Sequence, residues 1–150
     1  MAGLLAPTLA ALIALAAPEA SRPAWVERLH PGARFPIEGI AFDGRGGPLS
    51  RGDGLSDLAA ALREAPWVRV RLEGFVDATD DATDDARLSW EMARNAAQRL
   101  VSLGVGAARV SWAGRGGDEP LLPNFTARAR AANRRVEVVV VARDPRGGAG

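Results

Sequence analysis

Five aspartates fall between positions 77 and 85, at Asp77, Asp80, Asp81, Asp84 and Asp85, in the run D-A-T-D-D-A-T-D-D. Carboxylates grouped this closely suit three kinds of chemistry. They can gather oxygen ligands around Ca²⁺, act as an acid–base pair, or cap and solvate the start of a helix. The spacing is not that of the helix–loop–helix calcium loop, whose central glycine is also missing, so no metal site is expected. Asp77 and Asp85 could in principle form a two-carboxylate hydrolase, a distant alternative, because paired acids in exposed loops are common without catalysis. A Ser/His/Asp set would have to recruit His30, the only histidine, from a segment that reads as a leading arm. Capping accounts for most of the run. Asp84 and Asp85 fall in a first helical turn behind Thr83 as the expected N-cap, where they complement the positive end of the helix dipole.

The elements that hold these carboxylates follow from periodicity. Residues 67–72 alternate apolar and polar, W-V-R-V-R-L, which predicts a strand. It runs into Gly74, and Asp77 follows in a loop. Beyond the aspartates, Leu88, Met92, Ala96 and Leu100 recur at steps of four, the apolar stripe of a helix. Gly104 is placed to close that helix with a positive φ. Upstream, residues 35–42 (F-P-I-E-G-I-A-F) read as a first strand, and 43–53 as a Gly-rich loop. Residues 55–65 read as a helix capped by Ser50 or Asp53 and stopped by Pro66. Downstream, 109–113 reads as a strand and 126–132 as a short helix. Residues 134–142, with four consecutive valines from Val138 to Val141, read as a last strand buried on both faces. The order β-α-β-α-β-(short α)-β predicts an α/β fold, an α+β sandwich with helices packed on one face of the sheet.

The same residues carry a resemblance. Gly74, Phe75, Val76 and Asp77 fill a G-[HY]-T-D motif. Asp85, Leu88, Ser89, Met92 and Ala93 fill N-x-x-L-S-x-x-R-A, and Gly104 with Val105 ends the helix. Further on come Gly114 and Gly116, Pro120, Asn124 with Thr126, and the run R-A-x-N-R-R-V-E from Arg130 to Glu137. This set resembles the peptidoglycan-binding domain found at the C-terminus of outer-membrane protein A, the OmpA-like family. The resemblance implies a mixed four-stranded sheet and a non-catalytic module. Such a module holds the diaminopimelate stem of peptidoglycan without a covalent bond and without a cofactor. It implies ligand contacts at Asp77, Asp85, Leu88, Met92, Asn124, Arg134 and Arg135, with Asp77 near the mouth of a shallow groove beside Asn124 or the Arg134–Arg135 pair.

Two positions depart from the family pattern in a way that matters electrically. Met92 stands where the family has its ligand-binding arginine, and Asp85 where it has asparagine. A carboxylate and a guanidinium together suit a zwitterion, one taking its ammonium and the other its carboxylate. Here the guanidinium is lost and a negative charge gained, so a degenerate site is expected. Arg94 is about 200° further round the helix and is a poor substitute. Provided position 92 lies at the edge of the core, Met92→Arg would restore the donor and raise affinity about tenfold. The alternative is a scaffold of the same fold that has lost the glycan and serves as a structural or protein-interaction domain.

Composition bounds the rest. The chain has 150 residues and a net charge of +1, with 19 basic residues, every one an arginine. The basic residues are spread along the chain, so no nucleic-acid footprint is indicated. There is no cysteine, which excludes disulfides and a lipidated cysteine. Residues 1–20 read as a signal peptide, an apolar run ending in small residues though lacking a leading positive charge. Residues 21–34 read as a linker, 35–142 as the domain and 143–150 as a disordered tail. No stable membrane span is expected after signal removal. The expected location is the periplasm and cell envelope, with outer-membrane association, and an envelope protein is a second expected partner.

Overall fold

The computed structural model describes residues 28–43, 45–47 and 53–143. Strands β1 (Arg34–Pro36), β2 (Val68–Phe75), β3 (Val110–Gly114) and β4 (Arg135–Arg143) form one sheet in the order β1-β4-β2-β3. β4 runs antiparallel to both neighbours, while β2 and β3 are parallel. A parallel pair needs a long crossover, and α2 (Ala82–Ser102) supplies it. Helix α1 (Asp53–Glu64) precedes β2, and the short α3 (Ala127–Asn133) precedes β4. This is the expected mixed four-stranded α/β architecture.

Alternation decides which face of the sheet is covered. Val68, Val70 and Leu72 of β2 and Val136, Val138 and Val140 of β4 are buried in one core. Leu55, Leu58 and Leu62 of α1 and Met92, Ala96 and Leu100 of α2 complete it. The opposite face of the sheet has no helix on it among the described residues. The outer face of β4 is buried at Arg135 and Glu137 but opens along the strand, where Val139 is half-buried and Val141 is 50% exposed. The valine run reflects a central strand with a mixed outer face.

Other boundaries shift for local reasons. β1 covers only Arg34–Pro36. Ile37 N still donates to Val136 O at 2.9 Å, but Gly39 takes φ +75°, so the chain turns away. Ile37, Ile40 and Phe42 still pack on the core from outside the strand. The arm before β1 belongs to the domain from Leu29 onward, since Leu29 and Ala33 are buried and Gly32 N donates to Val140 O. The cap of α2 is Asp81, not Thr83. Its Oδ1 accepts from the backbone N–H of both Thr83 and Asp84 at 3.0 Å, and Ala82 is already helical. Gly104 closes the helix at φ +96° as expected. The cap expected at Ser50 or Asp53, the signal segment, Trp25 and the tail from 144 lie outside the described residues or side chains.

Two glycines set how closely α2 approaches the sheet. A Cβ on Gly74 would fall on the carbonyl oxygen of Ser89, and one on Gly114 would meet Trp90 N at 2.6 Å. Ser89 is fully buried at this contact, its Oγ donating to Ala86 O and accepting from Gly116 N, both at 2.9 Å. Gly74→Ala is expected to cost about 3 kcal/mol, the upper end for overpacking, because the obstacle is backbone and cannot rotate away. Urea unfolding measures it. A variant as stable as wild type would show that α2 is not seated on β2 in this way.

Candidate functional site

The loop after β2 is clamped from two sides. Val76 N donates to Gly116 O at 3.0 Å. Gly117 lies so close to Ala78 that a Cβ would stand 2.5 Å from its Cα. On the helix side, Asp85 Oδ2 accepts from Thr79 N at 2.8 Å and its Oδ1 from Thr79 Oγ1 at 2.7 Å. Asp85 is 5% exposed, so its carboxylate is spent on holding the loop. Asp84 pairs with Arg87 at 2.6 Å on the surface. Capping and loop bracing thus occupy Asp81, Asp84 and Asp85.

Asp77 remains at the tip of this braced segment. Its Oδ1 accepts from Arg134 Nη1 at 3.1 Å, and the two side chains are 17% and 40% exposed. Asn124 closes the third side, its Nδ2 donating to Ala78 O at 3.1 Å. Asn124 is held in turn by Asn133, which is fully buried. Asn133 Oδ1 accepts from Leu121 N at 2.8 Å and Leu122 N at 3.0 Å, and its Nδ2 donates to Leu122 O and Asn124 Oδ1. One buried amide therefore fixes the whole 121–124 loop against the site. A shallow depression of ≈190 Å³ lies alongside, between Ala82, Asp85 and Ala86 of α2 and residues 114–118; Asp77 is not among its lining residues.

Asp77, Asn124 and Arg134 thus meet at the surface, and the remaining expected contacts do not join them. Arg135 diverges from Arg134. It is 8% exposed, donates to Glu137 Oε1, Asn133 O and Glu119 O, and stacks 4.0 Å over the Phe75 ring. Leu88 is half-buried and packs on the core. Met92 is 1% exposed and lies within the core, not at its edge. The backbone around Gly46 packs on it so tightly that a Cβ there would meet Met92 N at 2.8 Å. Asn95 Nδ2 secures that loop by donating to Gly46 O at 2.9 Å. The condition attached to restoring an arginine at position 92 is not met. Arg94 sits over Trp90, 5.6 Å from its ring centroid, as its angle on the helix implies.

A second charged cluster, outside the residues expected from the sequence, lies on the helix-free face of the sheet. Glu73 and Glu137 are directly opposed across β2 and β4. Arg34 bridges them, with Nη1 2.7 Å from Glu137 Oε2 and Nη2 2.7 Å from Glu73 Oε2. The second contact is an ion pair without a directed hydrogen bond. Arg71 and Arg115 both donate to Glu73 Oε1, at 2.9 and 2.7 Å. Glu73 is fully buried beneath them. The alternation R-V-R-L-E in β2 was the available signal. It puts Arg69, Arg71 and Glu73 on one face, but the partners Arg34 and Arg115 come from distant segments.

The OmpA family model matches residues 50–134 of this chain, a span that runs from α1 through β2, the Asp77 loop and α2 to Arg134. The chain belongs to the OmpA family. Among curated OmpA-like relatives, the probable lipoprotein YiaD of Escherichia coli is 36% identical over 86 residues, covering 57% of this chain and 39% of that protein. The peptidoglycan-binding protein ArfA of Mycobacterium tuberculosis is 36% identical over 103 residues, covering 67% and 32%. The chain therefore spans well under half the length of either. Among solved structures, a MotB-like protein from Desulfovibrio vulgaris superposes with a TM-score of 0.61 at 27% identity, over 73% of this chain and 74% of that one.

Proposed function

We propose that this chain is a non-catalytic module of the cell envelope that binds peptidoglycan non-covalently through a diaminopimelate-type stem. The observation that carries the reading is the water-facing Asp77–Arg134 pair on a braced loop. In this reading Asp77 takes the ligand's ammonium and Arg134 takes its carboxylate. The second role would fall to position 92 in the usual family pattern, but Met92 is buried. The site is degenerate in sequence and rebuilt from a different element, the C-terminal end of α3. Support comes from the family membership and from ArfA, a relative whose name records peptidoglycan binding. A hydrolase reading gains nothing, since both oxygens of Asp85 already accept from Thr79. The relatives include an outer-membrane lipoprotein and an outer-membrane porin, which supports a periplasmic location. No described helix is long and apolar enough to cross a membrane.

Co-sedimentation with purified diaminopimelate-type peptidoglycan tests the assignment. Asp77→Ala and Arg134→Ala are each expected to lower affinity about 10–100-fold, the scale of one charge-assisted contact. Both groups are partly exposed, so thermal melts should change little. Wild type that stays in the supernatant would favour a scaffold that has lost the glycan. Binding untouched by either variant would move the site elsewhere.

A further inference from the structure

Among the described side chains, the helix-free face of the sheet carries Arg34, Arg69, Arg71, Arg115 and Arg135 together with Glu73 and Glu137. Five guanidiniums over two carboxylates within the sheet and one at its rim leave the face net positive. The two acids are buried, whereas Arg34, Arg71 and Arg115 are about two-fifths exposed, so solvent meets guanidinium and not carboxylate. Glu119 lies at one rim, where its charge acts on Arg115. Neutralising the buried acids does not require this many arginines, and Arg69 pairs with neither.

The arrangement fits a planar array of anions better than a single small one. Three guanidiniums converge on one point, and Glu73 already occupies it. The N–H groups left over are spread across the sheet surface. Arg115, for example, spends only Nη2 on Glu73. The buried carboxylates also fix the arginine positions in advance, which reduces the ordering cost of a further contact. Val139 lies on the same face, opposite Arg34 and Arg71, and the half-exposed Val141 follows it at the bulge of β4. A mixed basic and apolar surface is the composition that adsorbs to anionic headgroups. We propose that this face docks the domain on a layer of anionic phospholipid, leaving the Asp77–Arg134 end free. The proposal does not depend on the glycan reading.

The test is sedimentation with vesicles of phosphatidylcholine alone and with about 30% phosphatidylglycerol, an anionic surface of the kind that attracts basic segments. Binding is expected only to the anionic vesicles and should fall steeply with added salt. The double variant Arg69→Glu/Ser111→Glu alters two exposed positions on this face that do not touch Glu73. It should lower vesicle affinity about tenfold or more while leaving peptidoglycan sedimentation and the thermal melt unchanged. Equal binding to neutral vesicles, no binding at low salt, or a double variant that binds as well as wild type would overturn the proposal. So would capture by soluble polyphosphate without any vesicle binding, which would point to a polymeric anion instead.

Discussion

Met92→Arg is expected to lose several kcal/mol of folding stability and to show no gain in peptidoglycan binding. The side chain is 1% exposed within the core formed with Leu72, Ala96 and Leu100. A guanidinium introduced there has no carboxylate beside it, and an unpaired buried charge costs about 3–5 kcal/mol. That is a large fraction of the 5–15 kcal/mol typical of a domain. Escape is blocked at one end by the Gly46 loop, which rests on the helix backbone at this residue. Met92→Leu, which keeps volume and polarity, should cost less than about 1.5 kcal/mol. Urea unfolding of the three proteins separates a charge effect from a shape effect. A Met92→Arg protein that unfolds with wild type and sediments more strongly would place this side chain at the ligand.

Glu73 should govern both stability and its acid limb. Burial pushes this carboxyl up, but hydrogen bonds from Arg115 and Arg71 and the ion pair with Arg34 override burial and hold it at about 2, against an ordinary value of 4.5. A depressed carboxyl stabilises the fold fully above its unfolded value, and the contribution is lost as pH falls towards the folded value. The window therefore runs from about pH 4.5 down to about pH 2, and the loss across it is about 3 kcal/mol. Glu73→Gln removes the countercharge from three converging guanidiniums and should cost about 3–5 kcal/mol at neutral pH. Its stability should then vary much less than that of wild type between about pH 4.5 and pH 3. Parallel acid slopes in the two proteins would show that other carboxylates carry the acid sensitivity.

Much of the fold could be read from the chain because its signals are local. The step-of-four stripe from Leu88 to Leu100, the V-R-V-R-L alternation and the stop at Pro66 each declare an element within one or two turns of chain. What was misread depended on distant neighbours. Four valines in a row cannot report that no described helix covers the outer face of β4. The pattern of the first strand continues past Pro36, whereas the turn at Gly39 takes the chain off the sheet just after Ile37. Thr83 and Asp81 are both good caps by type, and only the helix start at Ala82 chooses between them.

The site was legible to the same degree. Asp77, Asn124 and Arg134 were named from motifs, and they meet. Arg134 and Arg135 look equivalent in sequence, yet strand alternation sends one to Asp77 and the other to Glu137 and Phe75. Met92 was placed on the right stripe, but a stripe does not reveal how deep its central residue lies. The Glu73 cluster escaped because its arginines come from β1, β2 and the loop after β3, far apart in sequence.

Asp77 and Arg134 are proposed to read a zwitterionic side chain together. Calorimetric titration of the wild-type protein with two soluble stem fragments tests it most directly, one carrying diaminopimelate and the other lysine at the same position. Lysine keeps the ammonium for Asp77 but lacks the second carboxylate for Arg134. The diaminopimelate fragment is predicted to bind about 10–100-fold more tightly, and Arg134→Ala should erase most of that difference. Equal affinity for the two fragments, or a preference that survives Arg134→Ala, would show that this pair does not read the ligand.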